Sequence, residues 1–124
     1  MDTHLLLWSA GRDAMMSKEA DALIADPDNA LWFSAASIWE VAIKRGLDRP
    51  DFRTDPSVLR AGLLSNGYME LDVSGRHATG VLDLPTIHND PFDRILLAQS
   101  RSEGMMLVTS DKTVFAYGGP VRLV

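Results

Sequence analysis

The sequence predicts an α/β fold in which a parallel sheet of short strands is covered by helices on both sides. Three observations predict it. Strand-length apolar runs alternate with helix-length segments along the chain. The runs are apolar throughout, not at every second residue, as strands buried on both faces require. Helix boundaries are marked by Ser or Asp caps, by Asp-Pro pairs and by Gly stops. The 124 residues suit one domain, residues 1–124, with a proper core.

The elements follow in order. Leu5-Leu6-Leu7-Trp8 is a short apolar segment, a helical turn or two ended by Gly11. Ser17 caps a helix whose Ala20, Leu23 and Ile24 share one face. Asp26-Pro27-Asp28-Asn29 is a turn, and residues 30–34 form a strand-length apolar run. Residues 38–45 are helical up to Gly46. Asp55-Pro56 opens a helix carrying Val58, Leu59, Leu63 and Leu64, and Gly67 closes it. Residues 68–71 read as a strand, and Ser74 caps a short helix with Ala78, Val81 and Leu82. Asp90-Pro91 opens the next helix, with Asp93 in its first turn and Gly104 at its end. Residues 105–109 are a buried strand, Gly118-Gly119-Pro120 a turn, and residues 121–124 a last strand. There is no internal repeat, low-complexity tract or linker.

Composition removes several kinds of chemistry. There is no cysteine, hence no disulfide framework, thiolate zinc site or cysteine nucleophile. No apolar run approaches the roughly 20 residues of a membrane span. No basic region precedes an apolar segment at the start, so a cytoplasmic protein without a signal peptide is expected. The net charge of −5 gives no general attraction to nucleic acid or anionic lipid. A locally basic stretch, Lys44, Arg45, Arg49 and Arg53, reads as a solvated loop or as a phosphate contact. No Gly-rich phosphate loop or G-x-S-x-G setting occurs. His4, His77 and His88 have no ligand spacing; packing or capping roles suit them, with His4 a candidate neighbour of Asp2.

The acids are the informative residues. In open α/β sheets, ligands bind beyond the carboxyl ends of the strands. Asp111 lies two residues past the 105–109 strand, and Asp93 opens the helix leading into it. Glu40 lies in the helix after the 30–34 strand, and Asp2 precedes the first helix. Each has an ordinary explanation. Asp90 and Asp93 suit a helix start. Glu40 and Lys44 make an exposed i,i+4 pair worth roughly 0.3–0.5 kcal/mol. Asp111 fits a turn, and Asp2 a solvated terminus. Four carboxylates at one edge would repel unless a cation held them. Oxygen-only donors select Mg²⁺, or Mn²⁺ in its place. Such sites serve phosphodiester hydrolysis.

Four stretches carry a resemblance: Asp2-Thr3-His4-Leu5-Leu6-Leu7-Trp8, Ser34-Ala35-Ala36-Ser37-Ile38-Trp39-Glu40-Val41-Ala42-Ile43-Lys44, Asp90-Pro91-Phe92-Asp93-Arg94-Ile95-Leu96-Leu97-Ala98-Gln99, and Leu107-Val108-Thr109-Ser110-Asp111. In this order they resemble PIN-domain ribonucleases, and among them the VapC-type toxins of bacterial toxin–antitoxin pairs. The resemblance implies an α/β/α sandwich with a central parallel sheet of about five short strands. It implies a Mg²⁺- or Mn²⁺-dependent endoribonuclease with a quartet at Asp2, Glu40, Asp93 and Asp111. Thr3 and Thr109 match hydroxyl positions beside the acids, and Asp90 is an accessory acid. Lys44 and Arg94 are candidate contacts to RNA phosphate. The partners implied are RNA, an antitoxin protein and a second copy of the chain, with DNA reached only through the antitoxin. One departure stands out: family members carry several apolar residues before the first aspartate, forming the central strand, and here Met1 alone precedes it. Either the true start lies upstream or the first strand is truncated, and losing that strand would leave neighbouring edges unpaired.

Three rival readings remain. A phosphoacceptor receiver domain would use Asp72 as acceptor, but Asp2-Thr3-His4 is no acidic pair and no Lys lies near residues 121–124. A haloacid-dehalogenase-like phosphatase would need an acid at His4. An inactive PIN-like binding module is the third reading; metal binding without RNA cleavage would mark it.

Overall fold

Short parallel strands need crossover connections, and the chain supplies helices for them. In a computed structural model, residues 1–11 and 16–124 are described, with side chains described for all of these but 9–11. The order is α1 (Thr3–Gly11), α2 (Lys18–Ala25), β1 (Trp32–Ser34), α3 (Ala35–Gly46), α4 (Pro56–Ser65), β2 (Met69–Leu71), α5 (Gly75–Gly80), a 3₁₀ turn (Val81–Asp83), α6 (Pro91–Glu103), β3 (Leu107–Thr109), α7 (Lys112–Phe115) and β4 (Val121–Leu123).

Caps explain the helix starts. The Ser17 hydroxyl accepts the Ala20 N–H, Asp55 accepts from Ser57 and Val58, and Ser74 forms a reciprocal capping box with His77. Asp90 accepts the N–H groups of Phe92 and Asp93, with Pro91 in the first turn of α6. Gly104 ends α6 at φ +67°, a left-handed position where a side chain would be strained.

The sheet departs from expectation. The four described strands do not form one central sheet of about five. They make two parallel pairs: β1 with β2, Phe33 opposite Glu70, and β3 with β4, Val108 opposite Arg122. The α/β class stands, with helices around the strands, but the continuous sheet of a sandwich does not. Between the pairs lies a cavity of about 510 Å³, lined by Leu31, Phe33 and Ser34 on one side and by Met105, Leu107 and Val108 on the other. Gln99 Oε1 and Ser100 Oγ, from residues that also line it, are buried without a hydrogen-bond partner. Met1 lines the cavity, and the Asp2 N–H donates to the Val108 carbonyl at 3.0 Å, so the chain enters beside β3. Burial, opposed by Asp2, lowers the pKa of the Met1 α-amino group.

Two apolar clusters flank the cavity. One joins Leu6, Phe33, Val41, Phe52, Leu59 and Leu63. The other joins Leu96 and Leu97 of α6 to Leu107, Val114, Tyr117 and Val121. Among the described residues, no helix is long and apolar enough to cross a membrane.

Candidate active site

The first acid is fixed by the start of α1. Asp2 is buried, and its Oδ1 accepts the Leu5 N–H at 3.0 Å, as a cap does. Its Oδ2 accepts the Thr109 hydroxyl at 2.5 Å, from the end of β3. That hydroxyl also accepts the Asp111 N–H at 3.0 Å. One side chain thus links the first acid, the last strand before α7 and the fourth acid. Thr3, beside Asp2, donates to Ser37 Oγ on α3 at 3.1 Å, both residues being buried. The two hydroxyl positions are therefore structural ties between acid-bearing elements.

Glu40 is 4% exposed in the middle of α3. Its Oε2 pairs with Lys44 Nζ at 2.5 Å. The i,i+4 pair is real, but it is not the solvated pair of the ordinary explanation. Lys44 lies 4.8 Å from the Phe52 ring centroid and 5.6 Å from that of Phe92, within cation–π range of both. Trp39, next to Glu40, is 62% exposed and meets Phe92 edge-to-face at 5.4 Å.

Asp93, in the first turn of α6, is partly buried and paired through Oδ2 with His88 Nε2 at 3.0 Å. Burial pushes its carboxyl up to about 6; the negative charges of Asp90 and Asp2 add to the rise, and His88 opposes it. Burial disfavours the His88 imidazolium, but hydrogen bonds and charges from Asp93 and Tyr117 outweigh it and raise the histidine pKa. His88 Nδ1 lies 2.6 Å from the Tyr117 hydroxyl. Arg94 donates to that hydroxyl at 3.0 Å and to the carbonyls of Pro85 and Val81. Arg94 is thus engaged inside the chain, as is Lys44. Asp111 is exposed and caps α7, its Oδ1 accepting the Thr113 N–H at 2.8 Å.

The structure therefore sets Asp90 beside Asp93 in the first turn of α6, ties Asp111 to Asp2 through Thr109, and leaves Glu40 paired with its own lysine. Among the described residues, no three His, Cys, Asp or Glu groups stand together so as to hold a metal ion. The donor chemistry suits a hard cation: the donors are carboxylate oxygens, and Asp93 carries the repulsion of two neighbouring acids. His4 pairs with exposed Asp51 at 3.6 Å instead of supporting Asp2.

Sequence reasoning missed the His88–Asp93 contact and the ring cage of Lys44. Only the five-residue offset of His88 from Asp93, across the Asp90-Pro91 cap, hinted at the first. Phe52, in the loop after α3, gave no signal for the second.

With this geometry in place, the chain can be set against known proteins. The family model of the PIN domain matches residues 1–119. No curated protein sequence matches the chain. PIN domains are typically nucleases and generally bind divalent metal ions, most often Mg²⁺.

Proposed function

Because the chain belongs to the PIN-domain family, we propose that it is a Mg²⁺- or Mn²⁺-dependent endoribonuclease and the toxin of a VapC-type toxin–antitoxin pair. The observation that carries the reading is the match of the PIN-domain family model to residues 1–119. The Thr109 hydroxyl supports it, since it donates to Asp2 Oδ2 and accepts the Asp111 N–H and so ties two of the motif acids to one side chain.

Asp2, Asp93, Glu40 and Asp111 are the residues that would hold the cation. When bound, it would neutralise phosphate charge and acidify water for in-line hydrolysis, leaving a 5′-phosphate and a 3′-hydroxyl. The chain's own residues set the geometry. The Leu5 N–H and Thr109 hydroxyl orient the Asp2 carboxylate. His88 holds Oδ2 of Asp93, and among the described residues Oδ1 accepts no hydrogen bond. Asp90 stiffens the first turn from which Asp93 projects. Trp39 and Ile43 on α3 and Leu47 just past its end leave exposed apolar side chains next to Glu40. These side chains support a protein partner beside the site, the antitoxin or a second copy of the chain.

The Glu40–Lys44 pair favours one second reading, an inert PIN-like binding module. RNA cleavage separates the two. Asp93→Asn should abolish cleavage while leaving circular dichroism and melting intact. Wild-type products should carry 5′-phosphates, shown by ligation without prior phosphorylation. Cleavage that survives Asp93→Asn, or products with 5′-hydroxyls, would refute the proposed chemistry.

A further inference from the structure

We propose that His88 is a positioning residue of the candidate active site: seated by Tyr117 and Arg94, it keeps an N–H on Oδ2 of Asp93 and leaves Oδ1 as the one oxygen this carboxylate offers to the reaction. The inference rests on the nuclease reading above, in which Asp93 takes part in cleavage. It needs no contact between Asp93 and the other acids.

The argument starts from the seat of the ring. His88 lies in the irregular segment ahead of α6, where side chains are ordinarily the more mobile ones. Here the ring is held. The hydroxyl of buried Tyr117, 29 residues away, lies 2.6 Å from Nδ1, and the two rings meet edge-on at 5.3 Å. Arg94 fixes the hydroxyl in turn, donating to it at 3.0 Å. The same guanidinium donates to the Pro85 carbonyl at 2.9 Å and to the Val81 carbonyl at 3.2 Å. The segment between the 3₁₀ turn and α6 is thus fastened to α6 by the residue next to Asp93.

Counting hydrogens then fixes which nitrogen carries one. The Tyr117 oxygen accepts the His88 backbone N–H at 3.2 Å and an Arg94 N–H at 3.0 Å. Two donors fill its two lone pairs, so it faces Nδ1 with its own proton. The other acceptor for that proton, the His88 carbonyl, is more distant at 3.2 Å. A neutral imidazole that accepts at Nδ1 carries its hydrogen on Nε2, 3.0 Å from Asp93 Oδ2. An imidazolium carries a hydrogen there as well. His88 is therefore a donor to Asp93 in either state. Helix capping does not call for this contact, because Asp90 already takes the N–H groups of Phe92 and Asp93. The Asp93 side chain is 22% exposed, and among the described residues its Oδ1 accepts no hydrogen bond. A carboxylate locked at one oxygen and unengaged at the other is preorganised to act through the second.

A loop fastening and a positioning residue differ in which contact matters. The amide of His88→Asn reaches the place of Nδ1 and keeps the Tyr117 contact. The amide of His88→Gln reaches the place of Nε2 and keeps the donation to Asp93. The experiment measures kcat and KM for RNA cleavage with Mg²⁺, and thermal melting, on the wild type, these two variants, Tyr117→Phe and Asp93→Asn. Misplacing a reacting group by about 1 Å can cost about 100-fold, so His88→Asn should lower kcat by about 10–100-fold with KM little changed. His88→Gln should stand well above His88→Asn in kcat, although it gives up the Tyr117 bond. A mere fastening predicts the reverse order, in melting temperature alone. Two-bond ¹H–¹⁵N spectra of the neutral ring give a readout without turnover: the wild type should carry its hydrogen on Nε2, and Tyr117→Phe should show both tautomers. Tyr117→Phe keeps the packed ring and should also lower kcat, so it decides the matter should the histidine variants not fold. Equal kcat in His88→Asn and His88→Gln, wild-type kcat in Tyr117→Phe, or a wild-type hydrogen on Nδ1 overturns the assignment. Failure of the parent reading looks different: no cleavage by the wild type, or cleavage that Asp93→Asn leaves unchanged, and the positioning role then falls with it.

Discussion

Replacing Thr109 by Val tests whether the acid site is held by the fold as described. The hydroxyl is fully buried at the end of β3; it donates to Asp2 Oδ2 and accepts the Asp111 N–H. Valine keeps the branched shape and removes both bonds. A hydrogen bond to a charged group contributes about 1.5–3 kcal/mol, and Asp111 is exposed enough for water to satisfy its N–H. The loss should therefore be about 2–3 kcal/mol, dominated by the buried Asp2 carboxylate. For a domain of this size, each kcal/mol moves the melting temperature by about 3–5 °C, so a fall on the order of 10 °C is expected. Urea unfolding followed by circular dichroism should show the midpoint lowered with an unchanged slope. Thr109→Ser keeps the hydroxyl and gives up one methyl, costing about 1 kcal/mol. A valine variant within about 0.5 kcal/mol of wild type, or a serine variant as damaged as the valine one, would refute the reasoning.

Further outcomes follow from the same geometry. Asp90→Ala removes the cap of α6 and should cost about 1 kcal/mol; it should also lower the Asp93 titration midpoint, read by carboxyl ¹³C resonances, because one of the raising charges is gone. The pH dependence of the metal-free protein has a definite sign. Asp93 goes from 3.8 unfolded to about 6 folded, so its contribution falls as pH rises through that window. His88 is raised above 6.5, so its contribution is complete below that value and lost as pH rises through the folded value. Denaturant midpoints between pH 4 and 8 should drift downward through this pair and drift less in Asp93→Asn; a steeper fall in the variant would contradict the assignment. Finally, five alternating β-branched residues added ahead of Met1 should enter the cavity between β1 and β3, convert the buried amine to an amide and pair both edges. The gain should exceed about 1 kcal/mol; equal melting temperatures for extended and present chains would contradict it.

What the sequence made legible was local chemistry. Ser17, Asp55-Pro56, Ser74 and Asp90-Pro91 each announce a helix start through a side-chain bond to the first turn, and Gly104 a helix end through its left-handed backbone and its N–H bond to the Ser100 carbonyl. The four acids were picked out by the motif stretches that carry them, three at a helix start or past a strand end and Glu40 within a helix. Tertiary matters were not. Asp111 reads as a turn because α7 is only four residues long, too short for a periodic signal. The single sheet became two pairs because pairing depends on what fills the space between β1 and β3. The Glu40–Lys44 spacing was visible, but its burial depends on Phe52 and Phe92, which approach from a loop and another helix. Arg94 looks like a phosphate contact by its place beside Asp93, yet its donors are taken by Val81, Pro85 and Tyr117.

The central claim is that these acids make a metal-dependent ribonuclease, and cleavage by the purified chain tests it most directly. A pool of tRNA and structured RNA is incubated with Mg²⁺, with Mn²⁺ and with EDTA, with Asp93→Asn alongside. The account predicts discrete products that require metal and vanish in the variant. Products that persist in EDTA or in Asp93→Asn would contradict it, as would intact RNA under every condition from a chain that is folded and binds Mn²⁺.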